Sequence, residues 1–352
     1  MKETAWDRAR SDSSSPPENR APHFDESLGA WVLSRYADVL AAFHCSSLFP
    51  AGLNSKEPLD PPAGDELLRM RRETRDALSP LHLRVWRKGV TSAARAMVKN
   101  LSADQPVELI SSYAQPLCLT LAAMVTRIDP REAERLRELA EPIAASAAEP
   151  YDAALKSRAK SANAKIRNCF RPGPELLRDS GFVALAHTLP CLLANAWLAL
   201  VQSPEQWAVL HREPRLVEHA VEELLRCSGL PSILFRRAIE DIKVNGAHIR
   251  KGERIVLKVR AANLDPAHFP HAERLDVKRT RVRHLALGAG SHSCVGAGLI
   301  RMAAVSITRP LLERFSGARL TELIKWKGGS VYRFPESLRV VFDEPPVLIK
   351  TG

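Results

Sequence analysis

A cysteine lies in a glycine-rich stretch of the chain, directly before a segment that is predicted to be helical. Cys294 follows Gly288, Gly290 and His292, and Gly296 comes shortly after it. Glycines permit positive backbone torsion angles and let the main chain approach a flat ligand closely. Backbone N–H groups and the N-terminus of the following helix would stabilise a thiolate at this position. Such a thiolate can be a nucleophile or a metal ligand, and the alternative is a buried cysteine in a glycine-rich turn.

The composition is that of a globular chain. Of the 352 residues, 45% are hydrophobic, which is enough for a substantial core. The formal net charge of +11 favours acidic partners, but the basic residues are scattered and only 6% of residues are aromatic. Because no platform for stacking bases is visible, we predict no nucleic-acid partner. Six separated cysteines without a CxxC pair argue against a zinc site or a disulfide framework and favour a cytoplasmic location.

The N-terminus and one long apolar segment determine the predicted organisation. Residues 1–20 are polar and are predicted to be a flexible tail, since they lack the apolar core of a signal peptide. Residues 181–201 are long enough to span a membrane, but His187, Pro190 and Asn195 near their middle would be costly in lipid. We therefore predict a buried central helix, no membrane association, and a single domain over residues 21–352.

Apolar spacing predicts mainly α structure with a minor β portion. Spacings of three and four residues predict helices over residues 85–101 and 109–128, and a strongly basic helix is predicted over residues 65–78. Asn245-Gly246 predicts the turn of a β-hairpin.

The stretch around Cys294 resembles the heme-binding loop of the cytochrome P-450 family. That loop reads Phe-x-x-Gly-x-x-x-Cys-x-Gly, and the chain has Gly290, Cys294 and Gly296 at these positions, with Leu287 where Phe is usual. The family's bacterial form, His-Leu-Ala-Phe-Gly-x-Gly-x-His-x-Cys-x-Gly, agrees at every other position from His284 onward. The resemblance implies heme b (iron protoporphyrin IX), with Cys294 as the axial iron ligand. Further heme contacts are implied for Leu287, Gly288, His292 and Gly296.

The resemblance covers roughly residues 30–343, since further family segments occur in the expected order. It implies the cytochrome P-450 fold, a triangular helical prism with a long central helix above the heme, in one heme-thiolate catalytic domain. Glu223 and Arg226 match the family's Glu-x-x-Arg, whose spacing places both charges on one helix face. Arg279 matches the third member of that structural network, which braces the core beneath the heme.

Three basic residues match the family's contacts to the heme propionates. Arg236 and His284 each occupy such a position, and Arg71 fits the arginine of the family's His-x-x-x-Arg. The planar guanidinium of arginine is suited to carboxylates. Leu67 stands where the histidine of that motif is usual, so one propionate contact is predicted to be missing.

The oxygen-binding stretch of the family, Ala-Gly-x-x-Thr, aligns with residues 184–188. Ala184 and Leu185 would contact the heme and oxygen, and Thr188 fits the hydroxyl that helps to deliver protons. Leu185 replaces glycine and would crowd the oxygen groove, while His187 replaces the usual acid and could also pass protons. Pro190 removes a backbone N–H and predicts a kink.

The resemblance implies a monooxygenase in which the thiolate donates electron density to iron and favours cleavage of the O–O bond. One oxygen atom would enter an apolar small molecule, in a pocket that includes Ile233 and Leu234. Because His187 replaces the acid, a peroxide-driven enzyme, or an isomerase or dehydratase, is the alternative. A non-catalytic heme binder is a third hypothesis.

The chain has no Gly-x-Gly-x-x-Gly after a strand and no evident flavin or iron–sulfur segment, so a separate electron donor is predicted. The basic helix with Arg69, Arg72 and Arg75 is a candidate docking face for an acidic ferredoxin or flavodoxin. A merely solvated helix face is the alternative.

Overall fold

The computed structural model describes residues 20–50, 64–150, 152–170, 173–174 and 177–345. The predicted N-terminal tail lies outside these residues except for Arg20, and the predicted extent of the single domain stays a prediction. Helices dominate and a minor β portion accompanies them, as the sequence predicts. The helices are α1 (Tyr36–His44), α2 (Gly64–Ala77), α3 (Pro80–Lys99), α4 (Gln115–Thr126), α5 (Pro130–Ala148), α6 (Ala153–Arg167), α7 (Leu189–Val201), α8 (Pro204–Arg212), α9 (Val217–Ser228), α10 (Val259–Asn263) and α11 (Ala297–Arg314).

The strands form one larger sheet and several smaller units. They are β1 (His23–Asp25), β2 (Ala30–Leu33), β3 (Leu48–Pro50), β4 (Val107–Glu108), β5 (Leu234–Ala238), β6 (Ile242–Val244), β7 (Ala247–Ile249), β8 (Arg254–Leu257), β9 (Gly317–Leu320), β10 (Trp326–Gly328), β11 (Arg333–Pro335) and β12 (Arg339–Asp343). The larger sheet has the order β1–β2–β8–β5–β3, and a second sheet has the order β4–β12–β9. Strands β6–β7 and β10–β11 are hairpins, and Asn245 and Gly246 form the predicted turn of the first with positive φ.

The long apolar segment of the chain lies in the main core. Residues Ala184–Val201 are long and apolar enough to cross a membrane by length and composition, but 72% of this segment is buried inside the fold. Trp197 is fully buried and its Nε1–H donates to Thr308 Oγ1 of α11 at 3.0 Å. The prediction of a buried central helix is therefore confirmed.

The central helix contains a wide turn where its proline predicts a distortion. Residues Ala184–Thr188 are π-helical, the Leu189 N–H donates to Ala184 O, and α7 continues from there. Pro190 has no N–H to donate, and its ring clashes with the carbonyl four residues earlier in a regular α-helix. The π turn accommodates this conflict, and such turns inside helices are frequent at functional sites.

Candidate active site

Cys294 lies at the entry to α11, in a loop that backbone hydrogen bonds hold in place. Its N–H donates to Leu287 O at 2.8 Å. The pKa of the Cys294 thiol is raised overall, because burial raises it by more than the Gly296 N–H and the positive charges of Arg71 and Arg301 lower it. The groups that oppose the effect of burial all favour the thiolate, which is the form of cysteine that binds a metal.

Two glycines set the path of this loop. Gly288 and Gly290 have φ values of +68° and +63°, in the left-handed region that other residues adopt at a cost. A Cβ atom at position 290 would lie only 2.6 Å from the main-chain oxygen of Phe43. A short 3-10 turn follows, which His292 ends before Cys294. The loop therefore packs closely against the end of α1.

The basic helix α2 contacts the cysteine loop directly. Arg71 is half-buried, and its Nη2 donates to Ser293 O at 2.6 Å. This contact places α2 on the same side of the site as the sulfur. The propionate contact predicted for Arg71 stays a prediction.

Arg236 on β5 is a buried cation. Only 7% of the residue is exposed, and its Nη1 donates to Phe235 O at 2.8 Å. Its Nε is buried and has no hydrogen-bond partner among the described residues. Burial lowers the pKa of Arg236 to about 10. Because a buried charge without an opposite charge is costly, this position favours the binding of an anionic group.

His284 is held against an acidic side chain. Its Nδ1 accepts from the Ala286 N–H at 3.2 Å, and its Nε2 lies 3.3 Å from Glu222 Oε2. Arg301 of α11 donates to the same carboxylate through Nε at 2.6 Å. Glu222 therefore connects α9 with the segment before the cysteine loop and with the helix after it. The propionate contact predicted for His284 stays a prediction.

The Glu-x-x-Arg pair forms a buried network with the predicted third arginine. Glu223 and Arg226 are almost completely buried, and Arg226 donates Nε and Nη2 to the two carboxylate oxygens at 2.7 and 2.8 Å. Arg279 donates its Nε to Glu223 Oε1 at 3.0 Å. Arg226 also donates to the main-chain oxygens of Asn263 and Ala272, so the pair joins α9 to α10 and to the irregular segment beyond it.

One face of the central helix is accessible and the other is packed. Ala184 is exposed and Thr188 is half-buried, and they lie on the accessible face. Leu185 is only 3% exposed because it packs into the main core. The crowding of an oxygen groove by Leu185 stays a prediction.

His187 is anchored to a neighbouring helix. Its ring Nε2 lies 2.8 Å from the main-chain oxygen of Arg137 in α5. Since a carbonyl can only accept, Nε2 carries the proton and Nδ1 remains as the acceptor of the neutral ring. Burial lowers the pKa of His187, with the Arg137 charge acting in the same direction. The imidazole is therefore neutral at neutral pH, where the usual acid would carry a negative charge.

Tyr332 belongs to the site, but no motif indicates it. It lies at the tip of the hairpin β10–β11 and packs in one cluster with the predicted pocket residues Ile233 and Leu234. Burial raises the pKa of Tyr332, and the nearby sulfurs of Cys294 and Cys191 raise it further. The phenol thus lies near the cysteine loop and near α7. Local sequence patterns do not report contacts between such distant segments, so no signal in the sequence identifies this residue.

The described residues fit a heme. A sulfur in a glycine-lined loop matches the iron ligand of thiolate hemes. The buried Arg236, whose Nε finds no partner in the described part of the chain, matches a carboxylate such as a heme propionate.

The comparisons with known proteins agree with this site. The sequence profile of the family described as Cytochrome P450 matches residues 211–322, which include the Glu-x-x-Arg pair and the cysteine loop. The chain is 28% identical to the nocardicin C N-oxygenase of Nocardia uniformis subsp. tsuyamanensis, over 89% of each chain. It is also 28% identical to the mycinamicin IV hydroxylase/epoxidase of Micromonospora griseorubida, over 92% of this chain and 91% of the relative.

A solved structure has the same fold. The LnmA cytochrome P450 hydroxylase from the leinamycin biosynthetic pathway of Streptomyces atroolivaceus S-140 is 27% identical, with a TM-score of 0.74 over 88% of this chain and 90% of that one. The names of these relatives favour oxygenation over the isomerase, dehydratase or heme-carrier alternatives. The match over residues 211–322 and these relatives support a bacterial cytochrome P450 that binds heme b and acts as a monooxygenase.

Proposed function

We propose that the enzyme inserts one oxygen atom of O2 into an apolar small molecule, with electrons from a separate ferredoxin or flavodoxin. The observation that carries the proposal is the position of Cys294, whose loop hydrogen bonds, Gly296 N–H and neighbouring arginines suit an iron-bound thiolate. Heme held there would supply the activation of oxygen. Arg236, and with it Arg71 and His284, would bind the propionates.

The accessible face of the central helix is the proposed oxygen side. Thr188 would hold a proton at its hydroxyl, and His187 would exchange protons at Nδ1 while Arg137 O fixes its ring. Ile233, Leu234 and Tyr332 would line an apolar substrate pocket, because they pack against one cluster of buried apolar residues. These residues would exclude water and select substrates by shape.

The basic helix α2 is the proposed docking face for the electron donor. Arg72 and Arg75 are exposed, and Arg69 is exposed and paired with Glu73 of the same helix at 2.5 Å. The contact between Arg71 and Ser293 places this helix beside the cysteine loop. An acidic partner bound there would be close to the sulfur side of the site. The relatives support a soluble protein, and we propose that it is cytoplasmic.

Absorption spectroscopy tests the proposal. We expect the purified protein to give the reduced-CO difference band of a thiolate heme, and Cys294→Ala to lose that band. Turnover of apolar compounds with surrogate redox partners and O2 should follow. Activity with peroxide alone, and none with O2 and reductant, would contradict the proposed use of O2.

A further inference from the structure

We propose that Glu149 is a positioning residue, which holds the tip of the hairpin β10–β11 over the substrate pocket and thereby restricts the ligands that reach it. The proposal rests on the proposed function only in placing the pocket beside Cys294. The hairpin tip is defined here as residues 329–332, between the two strands.

The carboxylate of Glu149 binds the hairpin tip through two donors of one residue. The Ser330 N–H donates to Glu149 Oε1 at 3.0 Å, and the Ser330 hydroxyl donates to Glu149 Oε2. The Val331 N–H donates to the main-chain oxygen of Ala148 at 3.1 Å. Hydrogen bonds to a carboxylate are stronger than those between neutral groups, so this contact fixes the tip to the end of α5.

A glycine makes the close approach possible. Gly329 is buried, and a Cβ atom there would lie 2.4 Å from the main-chain oxygen of Ala148 and 2.6 Å from the Glu149 carboxyl carbon. A side chain at this position would force the tip away from α5. Glu149 and Gly329 thus form one latch, in which the glycine gives the space and the carboxylate gives the attraction.

The other side of the tip contacts the walls of the pocket. The Ser232 N–H donates to Val331 O at 2.8 Å, next to the bridge between Pro231 and Tyr332. Asn195 of α7 donates Nδ2 to the main-chain oxygen of Arg333 at 2.9 Å. The hairpin is therefore held to α5 at its tip and to the central helix at Arg333, and Tyr332 lies between these two contacts in the chain. Release of the latch would free the tip from α5 and let this ring move.

The helix that carries the latch also holds the oxygen side of the site. Arg137 lies in α5, and its main-chain oxygen contacts His187. Because α5 and the residue that follows it make both contacts, the latch links the position of the hairpin tip to that of the central helix. Glu149 would therefore restrict the access of bulky ligands to the pocket.

The test compares heme ligands of different size in the holoprotein. For Glu149→Ala, we expect the association rate of 4-phenylimidazole to rise about five- to tenfold, which corresponds to the loss of one or two hydrogen bonds. The association rate of CO should change less than about twofold, because a diatomic ligand needs no movement of the tip. Glu149→Gln keeps an acceptor for the Ser330 N–H and should restore most of the wild-type rate. Glu138→Ala, which removes an exposed glutamate of the same helix, is the matched control.

A second variant and a heme-independent measurement complete the test. Gly329→Ala should act like Glu149→Ala, and in both variants hydrogen exchange at the Ser330 and Val331 amides should become faster. Unchanged exchange and ligand rates in Glu149→Ala would overturn the proposal. Equal acceleration for CO and 4-phenylimidazole, or the same effect in Glu138→Ala, would also overturn it, since either result indicates general loosening. If the protein gave no spectrum of a thiolate heme, the hydrogen-exchange measurement alone would still show whether Glu149 holds the hairpin tip.

Discussion

At the residue scale, the buried charges of the site differ in how they are neutralised. Glu223, Arg226 and Arg279 satisfy one another, whereas Arg236 is buried with an Nε that no described group accepts. Removing one partner of a buried pair leaves the other charge uncompensated, whereas a buried cation without an opposite charge favours the binding of an anion. We therefore expect mutation of the paired network to lower the free energy of unfolding, and mutation of Arg236 not to lower it.

We expect Arg236→Leu to weaken heme binding without weakening the heme-free fold. The substitution removes a buried charge that costs free energy, so the free energy of unfolding of the heme-free protein should stay equal or rise. Heme loss should be roughly tenfold faster or more, since a hydrogen bond to a charged group contributes about 1.5–3 kcal/mol. Heme transfer to apomyoglobin and urea denaturation measure the two effects. Arg250→Leu, at an exposed arginine, is the control, and a destabilised heme-free Arg236→Leu protein would contradict the argument.

Glu223→Ala should be strongly destabilising because it leaves Arg226 buried without its opposite charge. We expect the free energy of unfolding to fall by about 3–5 kcal/mol. The matched control is Glu134→Ala, which breaks the pair with Arg137 that has the same spacing and a separation of 3.0 Å, but lies at the surface. That control should cost no more than about 0.5 kcal/mol. Similar losses in the two variants would show that burial of the network is unimportant.

At the element scale, one carboxylate joins α9 to the segments on both sides of the cysteine loop. Glu222 on α9 contacts His284 and Arg301, so it ties α9 to the segment before the loop and to α11 after it. Burial raises the pKa of Glu222, but hydrogen bonds from His284 and Arg301 and their charges lower it to about 2 overall. The ionised form is therefore the one that stabilises the fold.

The contribution of Glu222 should disappear in acid. Its pKa is lowered from 4.5 to about 2 in the folded state, so its stabilisation is fully present above pH 4.5 and is lost as the pH falls toward 2. At pH 7 we expect Glu222→Gln to lower the free energy of unfolding by about 1–3 kcal/mol. The difference from wild type should shrink in denaturation series run from pH 5 down to about pH 3. Glu205→Gln, at an exposed glutamate of α8, should show no such trend, and a pH-independent difference for Glu222→Gln would contradict the assignment.

The central helix shows how elements adjust to one residue. Pro190 conflicts with a regular helix, and the conflict is relieved in the π turn Ala184–Thr188. The turn lies where the accessible face carries Ala184 and Thr188, while Leu185 packs into the core. The sequence predicts only a kink here, and the structure gives the π turn and the side chains that are accessible on it.

At the scale of the whole molecule, the positive charge should speed association with an acidic electron donor. The net charge of +11 acts at long range, but a docking face requires charge at one place. Arg69, Arg72 and Arg75 on α2 and Lys156, Arg158 and Lys160 on α6 are two sets of exposed basic residues of equal charge.

Substitution of Arg69, Arg72 and Arg75 on α2 by glutamate should lower the association rate of an acidic ferredoxin at least about tenfold at low salt. Reversal of the α6 set makes the same change in net charge, and it should lower the rate much less if docking occurs beside the cysteine loop. Stopped-flow reduction at several ionic strengths measures both variants. Equal losses in the two triple variants would show that the net charge matters and the position of α2 does not.

The sequence by itself determined the helical character, the buried central segment and the chemistry of the cysteine loop. These features are local, because each depends on residues only a few positions apart. They are the glycines and the cysteine before a helix, the turn residues Asn245-Gly246, and the spacing of Glu223 and Arg226. The contact of Arg279 with Glu223 also followed from the sequence, through the resemblance of several ordered segments.

Only the tertiary structure decided which distant groups meet. It directed Leu185 into the core, placed Glu222 between His284 and Arg301, and brought Tyr332 near two sulfurs. It also joined Glu149 to Ser330 across 181 residues of chain. Such contacts depend on how whole elements pack against each other, and short-range periodicity contains no information about that packing.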